Sequence, residues 1–83
     1  MERRDDNYLH LPDLGEVDEV VIVEWLKGEG AAFAAGDDLV EVETEKTTFI
    51  VDAPAAGRIE HILRKAGEKA RVGDRLAELS SLE

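Results

Sequence analysis

The motif Gly-Asp-x-Leu-x-Glu occurs twice in this 83-residue chain, at Gly36, Asp37, Leu39 and Glu41 and again at Gly73, Asp74, Leu76 and Glu78, a spacing of 73 − 36 = 37 residues. The same spacing carries Ile22 onto Ile59, Leu26 onto Leu63 and Gly30 onto Gly67. It also aligns the similar pairs Lys27/Arg64, Trp25/Ile62 and Val42/Leu79. Between 20–42 and 57–79, seven of 23 positions are identical. A unit of this length cannot bury its own apolar face, and two copies are too few for a solenoid. The copies are therefore expected to pack on each other as two sheets about a pseudo-twofold axis.

Within each copy, short apolar-rich runs are punctuated by Pro12, Pro54 and seven glycines. They predict strands over 9–14, 20–27, 38–43, 47–52, 58–65 and 75–80. The segment GEGAAFAAGDD reads as glycine-bounded turns around a further short strand, and no stretch sustains the i, i+3, i+4, i+7 spacing of an amphipathic helix. The chain is thus expected to be all-β and one domain, since 83 residues leave no room for a second. The domain is expected over 8–83, with 1–7 as a frayed tail.

The segment ETEKTT, residues 43–48, lies at the centre of a mirror: 42 + 49, 40 + 51, 44 + 47 and 45 + 46 all give 91. A hairpin folded between Glu45 and Lys46 would pair Val42 with Phe49, Val40 with Val51 and Thr44 with Thr47, and turn the four apolar residues to one face. Neither central residue favours positive φ, so a type I turn is expected in place of the usual Asn-Gly type I′. Lys46 would stand at the tip, in water. Shifting Lys46 by 37 in either direction gives Glu83 and Leu9, which would set both chain ends at the pole opposite the lysine.

Twenty acidic against ten basic residues leave a net charge of −10, an argument against nucleic acid or an anionic membrane as partner and in favour of basic protein surfaces. No apolar run approaches the length of a membrane span, and MERRDDNY lacks the apolar centre of a signal peptide. A cytosolic or organelle-matrix location is the corresponding expectation. The absence of cysteine excludes disulfides, thiolate metal sites and a cysteine nucleophile.

Several residues invite a sharper reading than the pattern supports. Glu41, Glu43 and Glu45 imitate a metal cluster, but with no histidine close in sequence they read as a solvated acidic face. His10 and His61 are unaccompanied. Trp25 aligns with Ile62, which favours packing over recognition. GEGAAFAAG lacks the strand-to-helix context of a phosphate loop.

Taken together, LPDLGE, IVEWLKGEG, GDDLVEVETEKTT, the DAPAAG break and the closing VGDRLAEL resemble the lipoyl domain of 2-oxo acid dehydrogenase complexes, part of the biotinyl/lipoyl carrier family. The resemblance runs from about Leu9 to Leu79. It implies a flattened barrel of two four-stranded antiparallel sheets, with Lys46 amidated by lipoic acid. The biotinyl branch typically flanks its lysine with methionines, whereas Glu45 and Thr47 flank Lys46, a lipoyl-like acid followed by a residue where alanine is commoner.

A lysine amine is protonated at neutral pH and a poor nucleophile, so the domain is expected to be the substrate of a lipoate ligase and not an enzyme. The modified side chain would reach on the order of 10 Å from the turn. The implied partners are a thiamine-diphosphate decarboxylase, an acyltransferase core and a dihydrolipoamide dehydrogenase. The pseudo-twofold also brings the loop of Gly15, Glu16, Val17, Asp18 and Glu19 beside Lys46. By resemblance this loop helps the decarboxylase choose its carrier. A biotin carrier and an unmodified binding or assembly module are the alternatives.

Overall fold

The computed structural model describes residues 7–15 and 17–80. Eight strands follow one another: β1 (Tyr8–His10), β2 (Glu19–Trp25), β3 (Ala32–Phe33), β4 (Asp38–Glu43), β5 (Thr48–Asp52), β6 (Gly57–Ile62), β7 (Lys69–Arg71) and β8 (Arg75–Ser80). They form two four-stranded sheets, ordered β1-β8-β6-β3 and β5-β4-β2-β7, with every pairing antiparallel. Replacing β1, β8, β6 and β3 by β5, β4, β2 and β7 converts the first order into the second. This is the duplication expected from the repeat.

The 37-residue spacing holds at the level of individual pairs. Val21 faces Glu43 and Ile22 faces Val42; 37 residues later, Arg58 faces Ser80 and Ile59 faces Leu79. Even the irregularities repeat. The ladders shift at Val23 and again at Glu60, and a second shift between Asp38 and Val40 lets adjacent Leu39 and Val40 both turn inward, as Leu76 and Ala77 do. Bulges of this kind break strict alternation, so two consecutive residues join the core.

The recurring Gly-Asp motif has a mechanical role. Gly36 and Gly73 take φ of 87° and 90°, values that side chains adopt only with strain. The following aspartate then folds back: Asp37 Oδ2 accepts the Ala34 amide at 2.9 Å, and Asp74 Oδ2 accepts the Arg71 amide at 2.8 Å. The aligned cations Lys27 and Arg64 approach the same two carboxylates at 3.8 and 3.7 Å. Leu39 and Leu76 follow two residues on and are wholly buried.

The core fills the space between the sheets with Leu9, Leu11, Val20, Ile22, Ile59 and Leu76 among its most buried members, and no polar or charged residue among those described is buried. Trp25 and Ile62, aligned by the repeat, both pack on its margin. The Trp25 indole N–H donates to the Arg64 carbonyl at 2.8 Å, and Glu29 Oε2 accepts the Ile62 amide at 2.8 Å. The packing role expected for Trp25 is what the structure gives.

Three expectations need correction. The strand expected over 9–14 ends at His10. Pro12 has no amide to give a ladder, and Leu11 is held by its carbonyl accepting Gly73 N at 2.8 Å and its amide donating to Asp74 O at 2.9 Å. A strand at Lys69–Arg71 was not foreseen; it is the symmetry mate of β3. Finally, β1 matches β5 at a spacing of 42, not 37: Leu9 faces Ala77 as Val51 faces Val40, so 51 − 9 = 42. Leu9 is therefore the counterpart of Val51 and not of Lys46. The difference, 42 − 37 = 5, is the extra length of the β1–β2 connection over the short link between β5 and β6.

The polarity of the barrel survives that correction. β5 runs from the hairpin tip to Asp52, and the chain then crosses residues 53–56 to Gly57, which lies against the Ser80 carbonyl. Tyr8 faces Glu78. The strands by which the chain enters and leaves thus lie side by side, at the pole away from the tip. The tail expected over 1–7 falls outside the described residues except for Asn7, whose carbonyl accepts the Leu79 amide at 2.6 Å.

Candidate functional site

The hairpin β4–β5 has the register centred on 91: Val40 faces Val51, Glu41 faces Ile50, Val42 faces Phe49 and Glu43 faces Thr48. Val40, Val42 and Val51 are buried and Phe49 is half-buried against the core, so the apolar face anchors the tip in register. Beyond Glu43 and Thr48 the chain closes through residues 44–47. No described non-glycine residue has positive φ, which rules out a type I′ turn at Glu45 and Lys46.

A threonine supplies what glycine would otherwise provide. Thr44 N donates to the Thr47 carbonyl at 2.8 Å, and the Thr44 hydroxyl donates to the same carbonyl at 3.0 Å. Thr44 Oγ1 in turn accepts the Lys46 amide at 3.2 Å and the Thr47 amide at 3.1 Å. The Thr44/Thr47 pair therefore acts through side chain to backbone bonds and not by packing two side chains across the strands. Sequence reasoning missed this role, although a threonine just before a turn is a recognised signal for it.

Glu45, Lys46 and Thr47 are all exposed. No described residue hydrogen-bonds or ion-pairs with Lys46 Nζ. Two shallow grooves mark the surface elsewhere: one among Tyr8, Phe33, Pro54, Gly57 and Leu79, the other among Trp25, Glu29, Ile62 and Lys65. Neither includes a residue of the turn. The tip is thus built to present an amine outward and not to enclose a ligand, which fits a group joined to the side chain by a covalent bond.

The β1–β2 connection approaches the same pole. Since Val21 faces Glu43, Glu19 at the start of β2 lies two residues further toward the pole of the turn. Asp13 Oδ1 accepts the Gly15 amide at 2.9 Å, and Gly15 turns the chain at φ 92°. Leu14 and Val17 pack against the core, and the Asp18 carbonyl accepts the Val72 amide at 3.2 Å. Asp18 and Glu19 remain exposed. Glu16 lies outside the described residues. Opposite Glu19 on β7 stands Arg71, and Lys69 follows opposite Val21, so the acidic surface here has basic neighbours on the sheet.

Sequence comparison supplies an independent view. The profile of the biotin/lipoyl family, described as "Biotin-requiring enzyme", matches residues 7–79. The dihydrolipoyllysine-residue succinyltransferase component of the 2-oxoglutarate dehydrogenase complex of Rickettsia bellii is 38% identical over 74 residues, covering 88% of this chain. The chain spans only 18% of that relative's length. Among solved structures, the lipoyl domain of the Azotobacter vinelandii 2-oxoglutarate dehydrogenase complex superposes with a TM-score of 0.73 at 26% identity, over 92% of this chain and 98% of that one. A single-chain long-chain acyl-CoA carboxylase contains a similar unit, with a TM-score of 0.76 at 25% identity, over 100% of this chain and 8% of that one.

Proposed function

Because the chain belongs to the biotin/lipoyl carrier family, we propose that it is a lipoyl carrier domain whose attachment point is Lys46. The observation that carries this reading is the lysine's position at the apex of a two-residue turn, exposed, with its side-chain amine engaged by no described residue. A ligase must approach the amine from several sides, and a hairpin tip is the part of a barrel that offers this. Glu45 and Thr47 at its flanks, with relatives named for a dihydrolipoyllysine residue, favour lipoate over biotin.

In the attachment step an amide bond forms between Lys46 Nζ and the carboxyl carbon of an activated lipoate. The activating group leaves with its electron pair, and Nζ keeps one hydrogen as the amide N–H while the others are released as protons. The nearest side chains in sequence are the Glu45 carboxylate and the hydroxyls of Thr44, Thr47 and Thr48. The ligase supplies activation, and the domain supplies a fixed address. When bound, lipoate contributes a dithiolane able to take up an acyl group and two electrons. The barrel holds the hairpin in register, keeps the turn clear of the core and carries the acidic flank by which partners tell one carrier from another.

The partners that follow are those of a 2-oxo acid dehydrogenase complex: a lipoate ligase, a thiamine-diphosphate decarboxylase, an acyltransferase core and a dihydrolipoamide dehydrogenase. The succinyltransferase relatives point to a dicarboxylic 2-oxo acid as the first substrate to try. Coexpression with lipoate ligase, and separately with biotin ligase, followed by intact-mass measurement decides the assignment. A lipoyl adduct is expected. A biotinyl adduct would move the domain to the carboxylase branch, and an unmodified mass with both ligases would leave a binding or assembly module.

A further inference from the structure

We propose that Thr44 is a positioning residue for the modification of Lys46, setting through its hydroxyl the turn that the ligase must recognise. This rests on the carrier reading above and adds to it a requirement on a residue that never meets the incoming group. A threonine hydroxyl has one hydrogen to donate and two lone pairs to accept with. All three are used here, on the Thr47 carbonyl, the Lys46 amide and the Thr47 amide, at 3.0, 3.2 and 3.1 Å. With the Thr44 amide also on the Thr47 carbonyl at 2.8 Å, four hydrogen bonds close a loop whose centre is two residues long.

The need for such a clamp follows from what the tip lacks. Residues 44–47 contain neither a proline to fix φ nor a glycine to admit a positive-φ turn, and Glu45 and Lys46 are long side chains with much rotameric freedom. Exposure deprives them of packing. The register of β4 and β5 fixes the chain only as far as Glu43 and Thr48. Without the hydroxyl, the apex would sample several turn geometries, and only a fraction would present Nζ at the angle and height the ligase accepts. A binding-competent fraction below one raises apparent KM in proportion and leaves the chemical step unchanged.

Thr44→Val keeps shape and strand preference and deletes the hydroxyl, whereas Thr44→Ser keeps the hydroxyl and deletes the methyl. Lipoylation kinetics with purified ligase should show KM for Thr44→Val raised by about tenfold with kcat within about twofold, and Thr44→Ser close to wild type. Thr44→Asn, whose carbonyl can accept the same amides, should recover part of the loss. Amide exchange at Lys46 and Thr47 should quicken severalfold in Thr44→Val while core strand amides and the unfolding midpoint stay near their wild-type values. Wild-type KM in Thr44→Val, or a Thr44→Ser variant as poor as Thr44→Val, overturns the proposal while the carrier reading stands. Should Thr44→Val prove globally unstable, the comparison of Thr44→Ser with Thr44→Ala carries the same two outcomes. A wild-type domain that accepts no lipoyl group overturns both.

Discussion

Val42 of β4 faces Phe49 of β5 directly across the hairpin, Val42 fully buried and Phe49 half-buried on the margin of the core. This pair couples the exposed turn to the barrel's interior, because a one-residue slip in register would set Phe49 opposite Glu41 or Glu43. Phe49→Ala should cost about 2 kcal/mol, below the ~3 to 5 expected of a fully enclosed ring. A shift in the urea midpoint with unchanged slope is the measurement. No shift would mean that the ring contributes nothing to holding the tip.

Gly57 and Gly28 should behave oppositely towards alanine. A Cβ at Gly57 would stand 2.5 Å from the Ser80 carbonyl oxygen and 3.2 Å from the Phe33 ring, and backbone on one side cannot yield. At Gly28 nothing lies within 4 Å and φ is not positive. Gly57→Ala should lose about 2 to 3 kcal/mol through overpacking, and Gly28→Ala should be neutral or slightly stabilising. Thermal unfolding of the two variants side by side provides the check.

The symmetry makes a quantitative claim about Asp37 and Asp74. Each accepts one backbone amide and meets one half-exposed cation. Removing either carboxylate by substitution to alanine should cost about 1 kcal/mol, most of it from the lost turn hydrogen bond and little from the solvent-screened ion pair. The two losses should agree to within about 0.5 kcal/mol and add in the double variant, since the sites share no partner. High salt should alter neither cost much.

Lys46→Arg preserves charge and hairpin but removes the amine that can be acylated. Coexpression with ligase should leave its mass unmodified, with unfolding unchanged. A lipoyl adduct on this variant would transfer the site to another lysine, such as Lys27 or Lys65, and remove the significance given to the turn.

The acidic flank can be tested apart from the attachment point. Replacing Glu16, Asp18 and Glu19 together by serine should slow reductive acylation by a cognate decarboxylase severalfold and leave lipoylation by the ligase nearly unchanged. The wild-type rate should itself fall as salt rises, because the attraction is between charged surfaces. Equal decarboxylase rates for both proteins would restrict recognition to Glu45, Lys46 and Thr47.

Much of this architecture is legible in the residues because it is written twice. The 37-residue repeat announced two sheets related by a pseudo-twofold, and the mirror about Glu45 and Lys46 foretold the register of β5 on β4 pair by pair. What escaped had weaker signatures. β7 is Lys69, Ala70 and Arg71, where only a methyl group faces the core, too little for a hydrophobic period to register. The five extra residues of the β1–β2 connection hid the true counterpart of Leu9, since no motif marks β1 as Gly-Asp marks β4 and β8. Thr44 looked like half of a cross-strand pair because pair logic concerns side chains, whereas its bonds run to backbone.

The pairing of Tyr8 with Glu78 means that whatever chain joins this barrel is fastened at a single pole, and the strand length separates that pivot from Lys46. Six-residue strands rise about 3.3 Å per residue, so the barrel itself is a lever on the order of 20 Å. A tilt of roughly 30° about such a pivot carries the lysine through an arc of about 10 Å, comparable to the reach of a modified side chain. The rigid barrel would then double as a boom, so that stiffening the tether, with no change at the tip, should narrow the range of active sites one carrier can visit.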